Sequence, residues 1–593
     1  MTTATETPHA RDGAIGAATL LLALVLAAAL SQPQLAAVWR TGAFFDSDDA
    51  MRAVELRDFL AGQGWFDVTA HRLDPPHGAP MHWSRLVDLA LAALQVPLSH
   101  VLAPQQAERA MRLLFPFTLL ATLLGLSGWI GGLLAGPRAR LLAIWLVVLS
   151  GPMFAQFAPG RIDHHAPQIV ILMAAFGFLL KGLDPARAPC LALVATLMAL
   201  SMAISLENLP FFTPMAGAVL WLYIAQGAAA RARLLWFAGG ALFAFPLFFA
   251  ATVAPGTYAQ SACDAFSAPW LGAVLAAALA LAALALGAPN PDRRARALAT
   301  AGVATASLAI FVALAPKCLR GPFADLDPLI ARLWLAHVRE VMSLQELVAQ
   351  GPGEAIALAA PAALGLVAAL WRLRGAEGRQ RLQWALASVT IALGLCASAL
   401  HIRVFSSVTP LAMVALAGGV AALVARFDPA PMLRNMLAGV LVFCLSPVGL
   451  ALAFVDAGAP TPRTEAACLT PQALAPLAAL PAGRVISPFN MGAHVLAQTP
   501  HAAFAAPYHR NNHGNRLAAE VFLATPEKAE ALTRAAGATL IVWCKAAQTP
   551  SPLVVAAPQG LAAMLARGEA PPWLERRASP DAPLLVFAPR SME

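Results

Sequence analysis

A run of about twenty apolar residues can cross the roughly 30 Å hydrocarbon core of a bilayer as a helix rising about 1.5 Å per residue. This chain carries such runs one after another between residues 14 and 455. Inside lipid every backbone N–H and C=O must be paired within its own segment, so these runs must be helices. Thirteen spans are expected, at 14–31, 112–135, 141–157, 168–181, 190–206, 211–226, 234–254, 270–288, 298–315, 355–371, 383–400, 404–425 and 435–455. At 59% apolar and 12% charged residues, the composition excludes a disordered chain, a fibre and a cytosolic enzyme. The run from Ala14 to Leu30 is kept as a span, because Ser31-Gln32-Pro33 lacks a small-x-small cleavage pattern.

A net charge of +8 could signal nucleic acid, but its distribution signals orientation. Fifteen Lys and Arg residues, from Arg138 to Arg434, fall in the short loops of one side, while the opposite short loops hold only Arg161 and Arg403. Basic loops stay cytoplasmic, so the N-terminus is expected inside and residues 456–593 outside the inner membrane, in the periplasmic or extracellular space. Counting 86–103 as a further span would invert every later loop, so it is read as a helix lying on the outer surface. The transmembrane part is then 1–455, with long outer loops at 32–111 and 316–354. Beyond it the prolines at 460, 462, 471 and 476 mark a change of composition. Strand-like 484–487 and 539–543 enclose a helical pattern at 526–536, which reads as a soluble α/β domain. Two cysteines in outer loops, Cys263 and Cys318, and two in the outer domain, Cys468 and Cys544, could pair in an oxidising compartment. Cys190, Cys396 and Cys444 read as core residues of the spans.

Four clusters on the outer side could carry chemistry. Asp46, Asp48 and Asp49 repel one another unless solvated, paired with cations or shared by a divalent ion, although acids at a helix start are also ordinary caps. Gly160-Arg161-Ile162-Asp163-His164-His165 offers an oxygen and a nitrogen ligand on one turn, or simply an interfacial histidine pair. Glu340 lies in the second long loop. Arg403, at the outer end of a span, is either a phosphate clamp or an interface anchor. Carboxylates for a cation opposite arginines for phosphate suggest transfer from a lipid-linked phosphosugar rather than conduction.

These residues resemble the GT-C superfamily of membrane glycosyltransferases, and most closely the catalytic subunit of oligosaccharyltransferase with its bacterial and archaeal relatives. The order of parts covers nearly the whole chain: an acidic motif opening the first outer loop, a DxD-like motif before the fourth span, a long loop after the ninth, and an outer C-terminal domain. The resemblance matches the first-loop aspartate to Asp46 or Asp48, the second motif to Asp163 with His165, the loop glutamate to Glu340, and the donor-phosphate arginine to Arg403, with Arg161 beside the second motif. Pro76-His77-Gly78-Ala79-Pro80-Met81-His82-Trp83 is similar to the archaeal first loop. The resemblance implies a polyprenyl-linked sugar donor, a divalent metal, Mn²⁺ or Mg²⁺, held by Asp46, Asp48, Asp163, His165 and Glu340, and catalysis by Asp46, Asp48 and Glu340. The departures are as informative. The family's WWDYG sequon reader is replaced by Ser487-Pro488-Phe489-Asn490-Met491-Gly492, and His165 stands where an acid is usual. The expected acceptor is therefore a cell-envelope glycan, lipid or protein contacted by Asn490, Tyr508 and His509, rather than a sequon asparagine. An oligosaccharyltransferase with altered acceptor recognition and a transporter or flippase are the competing readings. Transport would place ionisable groups near mid-membrane, whereas these gather in outer loops.

Overall fold

The computed structural model describes residues 8–150, 155–287, 291–427, 430–456, 465–545, 551–579 and 581–590. Among them nine helices are long and apolar enough to cross a membrane, or ten if Pro431–Leu445 and Pro447–Phe454, bent by 60° at Ser446, form one span. Two of the nine are double-length. Pro104–Val148 runs 45 residues and breaks only at Gly136, whose φ of +84° is closed to most side chains. Leu209–Thr252 is interrupted by the short 3₁₀ turn Gly227–Ala230. Thus the third expected span, 141–157, continues the preceding helix to Val148, and its residues 151–154 lie outside those described. The run at 190–206 forms the shorter helix Cys190–Ile204.

The segment read as a surface helix folds as Leu86–Ser99, 14 residues with Asp88 in the first turn. Buried charge fixes it: Asp88 accepts from Arg52 and from Arg85, each at 2.9 Å, and Arg52 also reaches Glu55 at 3.2 Å. All four side chains are buried, so loss of any one partner would strand a charge.

The C-terminal residues form a five-stranded sheet in the order 502–503, 484–486, 540–544, 584–589, 574–576, the first three parallel and the last two antiparallel to their neighbours. Helix Pro526–Ala535 precedes the central strand Leu540–Cys544. Neither face of this sheet is buried by C-terminal residues alone. Val485, Leu540 and Val586 share one core with Trp83, Val87 and Leu91 of the first outer loop. Ile486, Phe587 and Trp543 share another with Ile330, Leu333 and Trp334 of the second. Arg72 reinforces the first contact by donating to the carbonyls of Leu496, at 2.7 Å, and His501, at 3.1 Å. The disulfides Cys263–Cys318 and Cys468–Cys544 are both formed. Of the free cysteines, Cys190 is half-buried, and Cys396 and Cys444 lie exposed on helices, not in a core as the sequence suggested. Lipid can cover an apolar helix face as well as protein can, so hydropathy did not separate the two.

Candidate active site

The outer loops meet at one place. Helix Ser47–Leu60 begins with Asp46 as its N-cap, accepting from the Asp48 N–H at 2.8 Å, so the ordinary capping role and the clustering of acids coexist. The approach to this cap is held by Arg112, which donates to the Gly42 and Ala43 carbonyls and stacks 3.7 Å over the ring of Phe44. Opposite lies the turn at Gly160, with φ +96°, where a Cβ would stand 2.9 Å from Val38. Glycine is required there to bring Arg161 against the cap.

Arg161 is the hub of that contact. Its guanidinium pairs with Asp46 at 2.9 Å, Asp49 at 3.2 Å and also Asp163, and Asp49 accepts the Ile162 N–H at 2.8 Å. Arg161, Asp49 and Asp163 are buried. Sequence reasoning expected Arg161 to bind donor phosphate. Instead its donors face three carboxylates, and it organises the acids. Asp49, passed over as a site residue, is the buried partner that makes this possible.

Arg403 has a different partner, Glu207, which also lies 3.0 Å from His165 Nδ1 and 3.4 Å from His164 Nε2. Asn208 fixes the neighbouring backbone by donating to the Gln168 side chain at 2.7 Å, three residues into the helix that His165 begins. Glu207 was missed in the sequence. The available signal was a single acid in a short apolar connection on the same side as the other clusters. Glu340 sits on the turn Arg339–Val341, tied to the Arg403 turn by the Ile402 N–H to Met342 carbonyl bond at 2.9 Å. It lines a cavity of about 320 Å³ together with Asp46, Asp48, His337 and Asn490. A larger cavity of about 1240 Å³ continues from Asp46 past Arg332, His337, Asn490 and His494.

The expected acceptor residues divide. Asn490 lines both cavities, donating to Glu465 at 2.9 Å while its carbonyl accepts from Ser47 at 3.2 Å. Gly492 just after it packs so closely on the Ala505 carbonyl that a Cβ would clash. Tyr508 and His509 line neither cavity. Tyr508 is buried with its hydroxyl donating to the Ser47 carbonyl at 2.9 Å, and His509 bonds Asp264 at 2.6 Å. Both hold the framework, because their polar atoms are already matched within the protein.

The electrostatics show what the cluster lacks. Burial, then the neighbouring charges of Asp46, Asp163 and Glu340, push the Asp48 carboxyl up to about 8. Burial raises Asp49 to about 7 although Arg161 opposes it. Against the burial that would raise it, Arg161 and the two histidines hold Asp163 down at about 2. Carboxylates that raise one another in this way fit a divalent cation, and the oxygen and imidazole donors suit Mn²⁺, Mg²⁺ or Zn²⁺. Among the described residues, however, the tightest groups of ligand atoms, each within 4.8 Å, are His164–His165–Glu207 and His82–Asp264–His509. The five expected ligands are electrostatic neighbours without forming such a group.

No protein-family model matches the sequence, and neither does any curated protein. Solved structures do. The archaeal oligosaccharyltransferase AglB from Archaeoglobus fulgidus, in complex with an inhibitory peptide and a dolichol-phosphate, matches 97% of this chain and 74% of its own with TM-score 0.66 and 13% identity. The oligosaccharyltransferase of that organism tethered with an acceptor peptide containing the NVT sequon matches over the same shares, with TM-score 0.63 and 14% identity. Its complex with Zn and sulfate gives 0.59 and 14% identity over 96% of this chain and 73% of that one. At such identity the likeness speaks for the fold alone. It spans transmembrane helices, long loops and C-terminal sheet together, and this polytopic membrane chain shares the fold of the archaeal oligosaccharyltransferase structures.

Proposed function

We propose that the protein is a glycosyltransferase that moves a sugar from a polyprenyl-phosphate or polyprenyl-diphosphate donor to a cell-envelope acceptor at the outer face of the inner membrane. The observation that carries this reading is the meeting of Asp46, Asp48, Asp163 and Glu340 beside Arg403, at the mouth of a cavity between the second outer loop and the C-terminal residues. In this reading the N-terminus is cytoplasmic and the chain crosses thirteen times. The two double-length helices each cross twice, and Cys190–Ile204 and the bent pair each cross once. Residues 456–593 act as an outer domain, although its cores are shared with the outer loops.

In the reaction an acceptor heteroatom forms a bond to the anomeric carbon while the bond from that carbon to the phosphate oxygen breaks. The polyprenyl phosphate or diphosphate leaves. Arg403, whose side chain is one-third exposed and pairs with Glu207 alone among the acids of the described residues, receives the phosphate. Asp48 and Glu340 face the acceptor cavity, where either carboxylate takes the acceptor proton. Asp48, Asp163, His165 and Glu340, with Glu207 behind His165, would hold the divalent cation, whose chemistry is to stabilise charge on the departing phosphate. The neighbour of the same fold solved in complex with Zn and sulfate supports a metal and an anion as ligands. Arg332, His337, Glu465 and Asn490, polar groups set in a mainly apolar lining of the larger cavity, favour a lipid-linked saccharide or glycan as acceptor.

The test is to incubate the purified protein with polyprenyl-linked sugars and follow donor consumption with and without EDTA. Metal-dependent consumption abolished by Asp163→Asn is expected. Donor turnover untouched by both EDTA and Asp163→Asn would reject the reading.

A further inference from the structure

We propose that His82, Asp264 and His509 form a second metal site, a zinc-type clasp that fastens the C-terminal loop to two outer loops of the membrane part. The proposal goes beyond the transferase reading and does not depend on it.

The three residues are far apart in sequence and arrive from separate elements. His82 lies in the first outer loop, Asp264 in the connection after helix Arg231–Thr252, and His509 in the segment leading into helix Asn512–Leu523. Their ligand atoms nevertheless all lie within 4.8 Å of one another. Each is held from behind. Asp264 follows Cys263, which is bonded to Cys318. His509 follows Tyr508, anchored by its hydroxyl to Ser47. His82 precedes the buried Trp83, over whose ring Arg52 stacks at 4.3 Å. Convergence fixed from three sides is what a site with defined coordination needs.

The second observation is an orphan. His82 Nδ1 is inaccessible to solvent and has no hydrogen-bond partner. Leaving such a group unpaired forfeits its hydration without return, so it calls for an explanation. A hydrogen bond inside the cluster does not supply one, because the proton between His509 Nε2 and Asp264 Oδ2, 2.6 Å apart, already serves that pair. The two imidazoles lie with centroids 4.7 Å apart and planes at 52°, which brings their nitrogens together without stacking the rings face to face. An ion in that gap would displace the proton shared by His509 Nε2 and Asp264 Oδ2 to solvent, and would take a lone pair from each ring and one oxygen from Asp264. Two nitrogens and one oxygen suit Zn²⁺, and three protein ligands leave one position for water. Arg510 provides the outer support, donating to Asp264 Oδ1 at 2.9 Å and to Oδ2 at 2.7 Å. It keeps the first bond when the ion takes the second oxygen. Phe323 closes one side, edge-on to His509 at 5.2 Å.

This site is distinct from the acids around Asp48, although the His82 and His164 rings are only 6.5 Å apart. The experiment must therefore count ions. The full chain in detergent micelles is stripped with chelator, dialysed against buffered Zn²⁺ alone, and its bound zinc measured by mass spectrometry. The wild type is expected to retain about two ions per chain, with His82→Gln, His509→Gln and Asp163→Asn each retaining about one. Co²⁺ in place of Zn²⁺ should give the visible absorption of a low-coordinate nitrogen and oxygen site, lost in both histidine variants and kept in Asp163→Asn. Zinc content unchanged by both His82→Gln and His509→Gln would overturn the clasp. Loss confined to Asp163→Asn would do so while leaving the transferase site standing, and loss confined to the histidine variants would support the clasp and count against the transferase metal. If His82→Gln elutes as an aggregate, His509→Gln decides.

Discussion

Replacing Arg161 by glutamine tests whether this residue organises the acids or binds donor. The side chain is 10% exposed and faces Asp49 and Asp163, each at 1%, so the substitution leaves two buried carboxylates without their cation. Removing one partner of a buried ion pair costs about 3–5 kcal/mol, against about 1 kcal/mol or less for an exposed pair. Arg161→Gln should therefore lower stability by the larger amount, and Arg403→Gln by the smaller, in unfolding titrations of the metal-stripped protein in mixed detergent. The pH dependence follows from Asp49. Burial lifts its folded value to about 7, above the ordinary aspartate value of 3.8, and loss of Arg161, which lowers it, raises it further. Stability from such a group is fully present below the unfolded value and is lost as pH rises through the folded one. The variant should thus be least stable at alkaline pH and recover toward pH 5. Adding Asp49→Asn should restore at least about 1 kcal/mol, because the stranded charge is gone. A variant as stable as wild type at every pH, with lost donor affinity, would refute the organising role and return Arg161 to the phosphate.

Arg403→Ala should weaken binding of a radiolabelled polyprenyl-phosphate sugar by about tenfold or more while lowering stability by about 1 kcal/mol or less, since its side chain is one-third exposed and held by one ion pair. Cation affinity at the acidic cluster should rise as pH increases through about 8, because Asp48 must lose its proton to act as a ligand, and calorimetry at pH 6 and pH 9 with Mn²⁺ would reveal the opposite trend if this is wrong. For Gly160→Ala, the methyl would meet Val38 at 2.9 Å in a left-handed conformation, so about 1–3 kcal/mol of stability should be lost, readable in the same titration. Peptides bearing Asn-x-Ser/Thr should remain unmodified when incubated with donor and protein, and their glycosylation in a Glu340-dependent manner would restore the oligosaccharyltransferase reading.

Much of the fold is legible in the sequence because hydropathy and basic-loop asymmetry are properties of whole segments. The strands at 484–486 and 540–544 follow short β-branched runs, and both cysteine pairs that form are ones an oxidising compartment would permit. The helix break at Gly136 reads as a loop by composition, yet the chain stays helical on both sides of one residue. That Asp48 and Glu340 gather at one cavity was legible from residue types that themselves carry chemistry. Site residues were illegible where meaning depends on a partner. Glu207 is one acid among apolar neighbours until His164, His165 and Arg403 surround it. Tyr508 and His509 have the composition of a sugar-binding loop, but the atoms they would offer are committed to Ser47 and Asp264.

The two arginines that break the charge asymmetry make this dependence on partners concrete. Positive charge is rare in the outer short loops, so each exception needs local compensation or a ligand. Arg161 is compensated within the fold by three acids and is enclosed by them. Arg403 shares a single carboxylate, Glu207, with two imidazoles, and a third of its side chain stays accessible. A dianionic phosphate approaching this rim would meet Asp46, Asp49 and Asp163 paired directly with the first arginine, and at the second one paired acid, Glu207, already engaged by three partners, with Asp48 and Asp163 acting on the guanidinium as neighbouring charges. Under the proposed reaction the same imbalance orients the donor: its phosphate settles toward Arg403 and its anomeric carbon toward Asp48 and Glu340, where the acceptor cavity opens.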